Sequence, residues 1–415
     1  HKIYKVKSYD HGLQMDNLLD MPEYETLVEV EPIQKMPVAQ RMDIPALPAM
    51  ATWVNLRELG AKGDGETDDT KAIQEAIDKY DNIYVPQGWY RITETLKMKP
   101  NTKLIGLHPF GTQFRLNEST AAFSGFGGPK AMVESSEGGA YMNDVKFVGG
   151  HGGLWKPKPG VAEPRGWWER PVRISSPDNP VAASGMDLAW DNQYWSLWVT
   201  NNGGGTFKDI WTASTYATNG FYANNTSTPG RIYAMSIEHH VRNEVRFNKV
   251  SNWKVYCMQT EEESRESTDC QPIEMDDCKD VTFANLYMFR VIRVNEPYHS
   301  SVRIRNCENI AFLNLHNYSQ IKYTNNIAVF DVNKDIDIRP WELSRLIVTG
   351  KEPHQQPLGN EIGKVNQLAS DLEFAEGIAR DSKGNIYFCD HRMRRIFKWS
   401  VETNSCLLYT SDAAD

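Results

Sequence analysis

GAKGDGETDDTKAIQEAI, residues 60–77, places several acidic residues close together and then changes to a helical pattern. Asp64, Glu66, Asp68 and Glu75 fall at positions 1, 3, 5 and 12 of an EF-hand-like calcium loop. Position 6 of such a loop needs Gly for its sharp turn, and here it is Asp69. Calcium therefore explains these acids less well than the start of a helix does.

The helix interpretation accounts for more of the stretch. Asp68 or Asp69 can accept hydrogen bonds from the free N–H groups of a first helical turn, where negative charge is also favourable. The residues that follow repeat at helical spacing and form one apolar face, which comprises Ala72, Ile73, Ala76, Ile77 and Tyr80. We therefore predict that the acids are structural and that the chemistry lies elsewhere in the chain.

Residues 55–78 (NLRELGAKGDGETDDTKAIQEAID) and residues 82–107 (NIYVPQGWYRITETLKMKPNTKLIGL) together resemble the opening of the pectate-lyase-like superfamily. The resemblance implies an all-β fold, a right-handed parallel β-helix with an N-terminal capping helix. It also implies a carbohydrate-active protein, because the superfamily includes glycoside hydrolases, polysaccharide lyases and phage tailspikes. The motif is specific for the fold and weak for the reaction.

An internal repeat independently predicts a solenoid. FNKVSNWKVYC, MDDCKDVTFAN and IRNCENIAFLN begin at residues 247, 275 and 304. Three sets of apolar residues align in them at a spacing of two, as in strands with one buried face: Val250, Cys278 and Cys307; Trp253, Val281 and Ile310; and Val255, Phe283 and Phe312. Asn285 and Asn314 also align and predict an amide ladder at an inward turn.

Composition excludes some classes of function. The 415 residues carry a net charge of −9, so nucleic acid is not an expected partner. No apolar run approaches the roughly 20 residues of a membrane span. Six cysteines lack metal-ligand spacing and are expected to be mostly buried thiols. No signal peptide is visible, and a secreted or periplasmic bacterial location is only implied by the family resemblance.

We divide the chain by pattern into six segments. Residues 1–21 are expected to end an upstream β-helix segment, 22–50 to be a Pro-rich linker, 51–350 to form the β-helix and 351–365 to be a second linker. Residues 366–405 resemble the first blade of a gluconolactonase-like β-propeller, and 406–415 look like a translated sequencing adapter. These ends indicate a metagenomic gene fragment.

The propeller resemblance carries a metal expectation. Glu376 matches a Glu that ligates a divalent metal in that family, but Ile378 stands where the family has Pro. Only about one blade is present, where a propeller needs about four. We therefore expect an incomplete metal site here, calcium or zinc only in an intact propeller, and no cofactor for the β-helix.

Residues 154–211 hold seven of the twelve tryptophans and are interpreted as loops that project from the solenoid. A Trp ring offers a flat apolar face that suits a sugar ring. Trp190, Trp195 and Trp211 are the candidates for substrate binding. The alternative is that these rings pack the loops onto the solenoid wall.

The densest polar region runs from residue 236 to residue 276. Its catalytic candidates are Glu238, His239, His240, Glu262, Glu274 and Asp276, because stacked coils would bring acids and histidines onto one wall. Arg242, Gln259 and Arg303 are candidates for substrate binding. Taken singly, each of these residues is more simply explained as solvated surface or turn.

Three functions remain open. The first is a glycoside hydrolase that uses a carboxylate acid and base on a polysaccharide or oligosaccharide. The second is a polysaccharide lyase acting on a uronic-acid polymer, with Arg or Lys neutralising the substrate carboxylate. The third is a non-catalytic glycan-binding or tailspike-like module.

Overall fold

The computed structural model describes residues 2–39, 44–116, 120–123, 130–149, 173–174, 182–183, 195–214, 217–240, 242–263, 270–291, 299–319, 327–350, 375–390 and 395–410. Two compact units are present, His1–Pro353 and His354–Asp415.

The first unit is built almost entirely of strands. Its helical elements are α1 (Thr70–Lys79) and the 3-10 turns Met50–Thr52 and Ala121–Phe123. Its strands are β1 (Ile3–Met15), β2 (Glu23–Ile33), β3 (Val54–Asn55), β4 (Asp64–Asp68), β5 (Asn82–Val85), β6 (Gly88–Arg91), β7 (Leu96–Met98), β8 (Lys103–Gly106), β9 (Thr112–Leu116), β10 (Ala131–Gly149), β11 (Arg173–Ile174), β12 (Ala182–Ala183), β13 (Trp195–Ser214), β14 (Asn219–Thr226), β15 (Gly230–Glu238), β16 (Asn243–Glu263), β17 (Gln271–Asp276), β18 (Lys279–Val291), β19 (Val302–Arg305), β20 (Glu308–Ser319), β21 (Val329–Asp331), β22 (Ile336–Ile338) and β23 (Glu342–Val348).

Parallel pairing between successive coils makes this unit a parallel β-helix. The long strand β10 pairs with β7, β8 and β9 of the preceding coils and with β13 of the next. The ladder continues through β15, β16, β18 and β20 in unbroken register. Equivalent residues of neighbouring coils are thus one strand spacing apart, about 4.8 Å. The predicted fold class is confirmed.

Helix α1 packs its apolar face onto the first coils, as predicted. Ile73, Ala76 and Ile77 are buried, and Ala72 and Tyr80 pack against the same core. The predicted capping by Asp69 is wrong. Its carboxylate turns away from the helix and accepts bonds from the N–H groups of Lys62 (2.6 Å) and Gly63 (2.9 Å).

Asp68, not Asp69, bonds the first helical residue. Its Oδ1 accepts from the Thr70 N–H at 3.1 Å, and its Oδ2 accepts from Thr93 Oγ1 at 2.6 Å. Asp64 accepts from the backbone and hydroxyl of Thr67 and from the N–H of Glu66 within its own turn, which lowers its pKa to about 2. These acids organise a turn, in agreement with the structural interpretation of the stretch.

The interior follows the register that the repeat predicted. Val255 lies opposite Phe283, and Phe283 opposite Phe312, and all three are buried. The Phe283 ring stacks on Phe312 at 5.4 Å and meets Phe247 edge-on at 5.8 Å. The buried stack is confirmed.

The predicted asparagine ladder exists but faces outward. Asn314 Nδ2 donates to Asn285 Oδ1 at 2.7 Å, and both side chains are exposed. Both residues have positive φ, 56° and 62°. Asn tolerates this left-handed backbone well, so the ladder lies at an outer corner of the coil and not at an inward turn.

The N-terminal segment corrects the linker prediction. Within residues 22–50, β2 pairs with β1 as an antiparallel hairpin. The end of β1 then joins the C-terminal coils, since Gln14 and Met15 pair in parallel with Arg345 and Leu346. The solenoid end is further covered by β23, which runs antiparallel to β20.

The second unit, over its described residues, is a four-stranded antiparallel sheet made of β24 (Ala375–Arg380), β25 (Ile386–Asp390), β26 (Arg395–Ser400) and β27 (Ser405–Thr410). Asp381 and Asn385 close the turn before β25 through bonds of 2.8–2.9 Å. The backbone of Glu376 lies in β24 opposite Cys389. The propeller, its metal and the adapter origin of 406–415 stay predictions.

Candidate active site

The side chains at one outer corner of the β-helix change in chemical type from one end of the solenoid to the other. Its residues occupy equivalent positions on successive coils and all have positive φ, and we call them the corner row: Asp144, Asp209, Ala234, Cys257, Asn285 and Asn314. At one end of the row the side chains are carboxylates, at the other end paired amides. In the middle, Ala234 and Cys257 are small. The row therefore leaves a depression beside the two carboxylates.

A groove of ≈ 670 Å³ occupies this depression. It is lined by corner-row residues, by Trp211, Ser236 and Gln259, and by the loop before β9. Its full lining is His108, Pro109, Phe110, Asp144, Asp209, Ile210, Trp211, Ala234, Met235, Ser236, Glu238, Cys257 and Gln259. The groove combines aromatic surface with a few carboxylates and an amide, a composition typical of ligand sites.

Asp144 and Asp209 are the adjacent acids of the groove, and their surroundings differ. Burial, with the nearby charge of Asp209, raises the pKa of Asp144. The Asp209 carboxylate instead pairs directly with the ammonium of Lys208. A carboxyl whose pKa is raised, next to a carboxylate paired with a cation, is an arrangement that can supply an acid and a nucleophile.

Trp211 is held rigidly in the lining of the groove. Its Nε1–H donates to Glu238 Oε1, its ring lies over Lys146 Nζ at 3.0 Å from the ring centroid, and Phe110 meets it edge-on at 4.8 Å. Burial lowers the pKa of Lys146 to about 8, although the charge of Glu238 opposes this shift. These three contacts fix the Trp211 ring, and the rest of its surface lines the groove.

Glu238, His239 and Glu261 are the one group of potential metal ligands among the residues that the structure describes. One ligand atom from each lies within 4.8 Å of the others, and His239 Nε2 is 3.3 Å from Glu238 Oε2. Glu238 and Glu261 face each other on neighbouring coils. Two carboxylates and an imidazole suit a transition-metal ion better than calcium, which prefers oxygen ligands.

The predicted catalytic cluster is divided by the structure into three places, because the strands that carry its residues turn their side chains to different faces. Glu238 lines the groove, and His239 is buried beside it. His240 and Glu262 are buried inside the solenoid, where they cannot meet a polymer. His240 pairs with Glu244, and Arg290 Nε lies 3.3 Å from Glu262. Burial raises the pKa of both Glu244 and Glu262.

Glu274 and Asp276 lie on another wall and are paired with arginines. Arg303 donates to Glu274 Oε1 at 2.8 Å, and Arg246 and Arg305 lie 3.7 and 3.8 Å from the Asp276 carboxylate. The arginine contact holds the pKa of Glu274 below its usual range although burial opposes it. The placement of these two acids with the groove is therefore wrong, and so is that of Arg303.

The binding candidates are only partly together. Trp211 and Gln259 line the groove, whereas Arg242 is exposed in the turn before β16. Trp195 begins β13 and packs against Trp198 and Tyr222, so it is not in a projecting loop. Trp190, with most of residues 150–194, lies outside the described residues.

Sequence reasoning missed Asp144 and Asp209. Each sits inside a strand pattern, in NDV (residues 143–145) and KDI (residues 208–210). The signal that could have found them is the repeated Asp immediately before an inward apolar residue. It marks the same left-handed corner on which Asn285 and Asn314 were already aligned.

Comparison with known proteins covers parts of the chain. The probable glucan endo-1,3-beta-glucosidase of Arthroderma benhamiae is 37% identical over 91 residues, 21% of this chain and 10% of that protein. Alginate lyase 7 of Azotobacter vinelandii is 41% identical over 64 residues, 12% of this chain and 8% of that protein. The chain thus spans a tenth or less of these relatives.

Among solved structures, the N-terminal fragment of bacteriophage phi29 gene product 12 is similar with a TM-score of 0.42 and 16% identity. The similarity covers 67% of this chain and 42% of that one. No helix among the described residues is long and apolar enough to cross a membrane. Residues 53–150 match the family described as rhamnogalacturonase A/epimerase, pectate lyase-like, which supports the pectate-lyase-like superfamily for this chain.

Proposed function

We propose that the protein hydrolyses glycosidic bonds in a polysaccharide, with Asp144 as the general acid and Asp209 as the nucleophile. The observation that carries the proposal is the placement of these two carboxyls on adjacent coils of one groove, in contrasting environments. The backbones of the two residues are one strand spacing apart, about 4.8 Å, which allows their carboxyls to approach the roughly 5–5.5 Å separation of retaining glycosidases. Inverting enzymes need about 6.5–9.5 Å.

In this mechanism the protonated Asp144 gives its proton to the glycosidic oxygen as the bond to the anomeric carbon breaks. Asp209, ionised beside Lys208, bonds to that carbon. A water molecule then loses a proton to Asp144 and attacks the same carbon, which frees Asp209. Trp211 would hold a sugar ring against its face during both steps.

A neutral glycan is the favoured substrate class. Asp209 and Glu238 bring negative charge to the groove, while Lys208 is already paired and Lys146 is buried against Trp211. A uronic-acid polymer would meet like charge there. The similarity over 91 residues to a probable glucan endo-1,3-beta-glucosidase supports β-1,3-glucan as the first substrate to test.

The test is release of reducing ends from laminarin, a neutral β-1,3-glucan. We expect Asp144→Asn and Asp209→Asn each to lower kcat roughly 10²–10⁴-fold. Asp277→Asn is the matched control, because Asp277 also has positive φ, 52°, but belongs to another corner. Unchanged activity in both groove variants would overturn the assignment. The anomer first released, followed by NMR, should be the retained one.

A lyase is the second candidate, and the similarity over 64 residues to alginate lyase 7 favours it. Such an elimination would release an unsaturated uronic acid from alginate, visible by its ultraviolet absorbance. If alginate gives that signal while laminarin is untouched, the lyase is correct and the hydrolase is not.

A further inference from the structure

A straight row of side chains crosses the solenoid wall beside the corner row. We call it the wall row, and every neighbouring pair in it is in register: Trp89, Gln113, Lys146, Trp211, Ser236, Gln259, Tyr287 and His316. Aromatic rings recur at every third coil, at Trp89, Trp211 and Tyr287. Polar or cationic residues fill the positions between them.

The three rings are evenly spaced. Three coil steps separate Trp89 from Trp211, and three more separate Trp211 from Tyr287. At about 4.8 Å a step, each interval is about 14 Å and the whole row about 29 Å. Only the central ring lies in the groove with the carboxyl pair. The outer two therefore flank the proposed reacting position on opposite sides.

On one side, the wall row continues into a second cavity of ≈ 690 Å³. Phe110 lines both this cavity and the groove, so the two are neighbours across a single ring. Trp89 is 48% exposed in it, and the guanidinium of Arg115 supports the ring at 4.3 Å. Because Arg115 is itself buried, Trp89 is fixed and presents its free surface to solvent.

On the other side, the row leads to an aromatic platform. Tyr287 is 41% exposed and stacks near-parallel to Phe289, with centroids 6.0 Å apart. Phe289 in turn stacks on the exposed Tyr318 at 5.5 Å. Stacked, exposed rings on neighbouring strands form a flat surface that is costly to leave in water without a ligand.

We infer that the wall row is a track for an extended glycan chain lying parallel to the solenoid axis, with binding subsites at Trp89 and Tyr287 on either side of the groove. Rings stack on the apolar faces of sugars, and the amides of Gln113 and Gln259 supply hydrogen bonds between them. The inference deepens the proposed function by assigning a long polymer as substrate. Binding, however, can be measured apart from turnover.

The test compares a polymer with a short chain. Binding of laminarin and of laminaritriose is measured by calorimetry in the Asp209→Asn protein, with and without Trp89→Ala or Tyr287→Ala. We expect each ring removal to weaken laminarin binding roughly three- to tenfold, the loss of one stacking contact. Laminaritriose, too short to reach from the groove to both rings, should change less than about twofold. Tyr4→Ala, exposed on the N-terminal hairpin, is the control.

One further variant and a second polymer help to interpret the result. Trp89→Phe retains a ring over Arg115 and should give an intermediate affinity, which separates stacking from any loss of folding. Alginate is measured in parallel, since a charged polymer that binds with the same ring dependence supports the track while removing the neutral-glycan assignment. Equal loss for polymer and trisaccharide, no loss in either ring variant, or binding of neither polymer would overturn the track.

Discussion

Replacing Asp69 by Ala tests whether the acidic stretch before α1 is structural. Asp69 is 1% exposed and accepts bonds from the N–H groups of Lys62 and Gly63. The Gly63 N–H is buried, so its lost partner costs about 1–3 kcal/mol, and the half-buried Lys62 N–H adds a similar or smaller amount. Part of this cost is offset because the variant no longer buries a carboxylate, whose burial is unfavourable and raises the pKa of Asp69. We expect a net loss of about 2–4 kcal/mol.

The measurement is urea unfolding at neutral pH, with turnover of laminarin by the folded protein as the second readout. Asp68→Ala is the internal comparison, because Asp68 is exposed and water can replace most of its bonds to Thr70 and Thr93. It should cost about 0.5–1 kcal/mol. Activity per folded molecule should hardly change in either variant. The structural assignment is refuted if Asp69→Ala unfolds like the parent protein yet loses turnover.

Three other outcomes follow from the packing and charge of the solenoid. Phe283→Ala should cost about 3–5 kcal/mol in urea unfolding, whereas Tyr24→Ala on the exposed hairpin should cost under about 0.5. Glu262 has a raised pKa, so the folded state binds more protons than the unfolded chain, and stability should fall as pH rises from about 4.5 to about 8; Glu262→Gln should flatten this slope. Asn285→Ala should cost about 1–2 kcal/mol because φ is positive there, and Asn285→Gly clearly less.

The core could be predicted from sequence because one physical rule fixes it. Apolar side chains at a spacing of two must point to the same side of a strand, and a repeat of 28–29 residues must stack them, as Val255, Phe283 and Phe312 do. The helix after Asp69 was predictable for the same reason, since its apolar face had to be buried. The hydrogen-bond partners of the Asp69 carboxylate were not predictable, because an acid at this position can either cap the helix or accept bonds from the preceding loop.

The polar site could not be predicted in the same way. The side chain of a polar residue on a β-helix can lie on a wall, at a corner or in an interior pocket. The repeat length of the coils alone does not distinguish these three positions. Glu262 falls at the inward spacing of Met258 and Thr260, and its side chain is buried beside Arg290. Glu274 faces outward as expected but is neutralised by Arg303. Nearness in sequence therefore grouped residues that the coil sends to three faces.

Backbone conformation, more than residue type, distinguishes the acids of the groove. Asp144 and Asp209 share the left-handed corner that places Asn285 and Asn314 in register further along. At such a corner Asn and Asp are favoured for their backbone, and side chains of successive coils are brought to one strand spacing. A structural amide ladder and a carboxyl pair are thus alternatives at one geometric position. At the end of the row that carries Asp144 and Asp209, the same corner can position two carboxyls for chemistry.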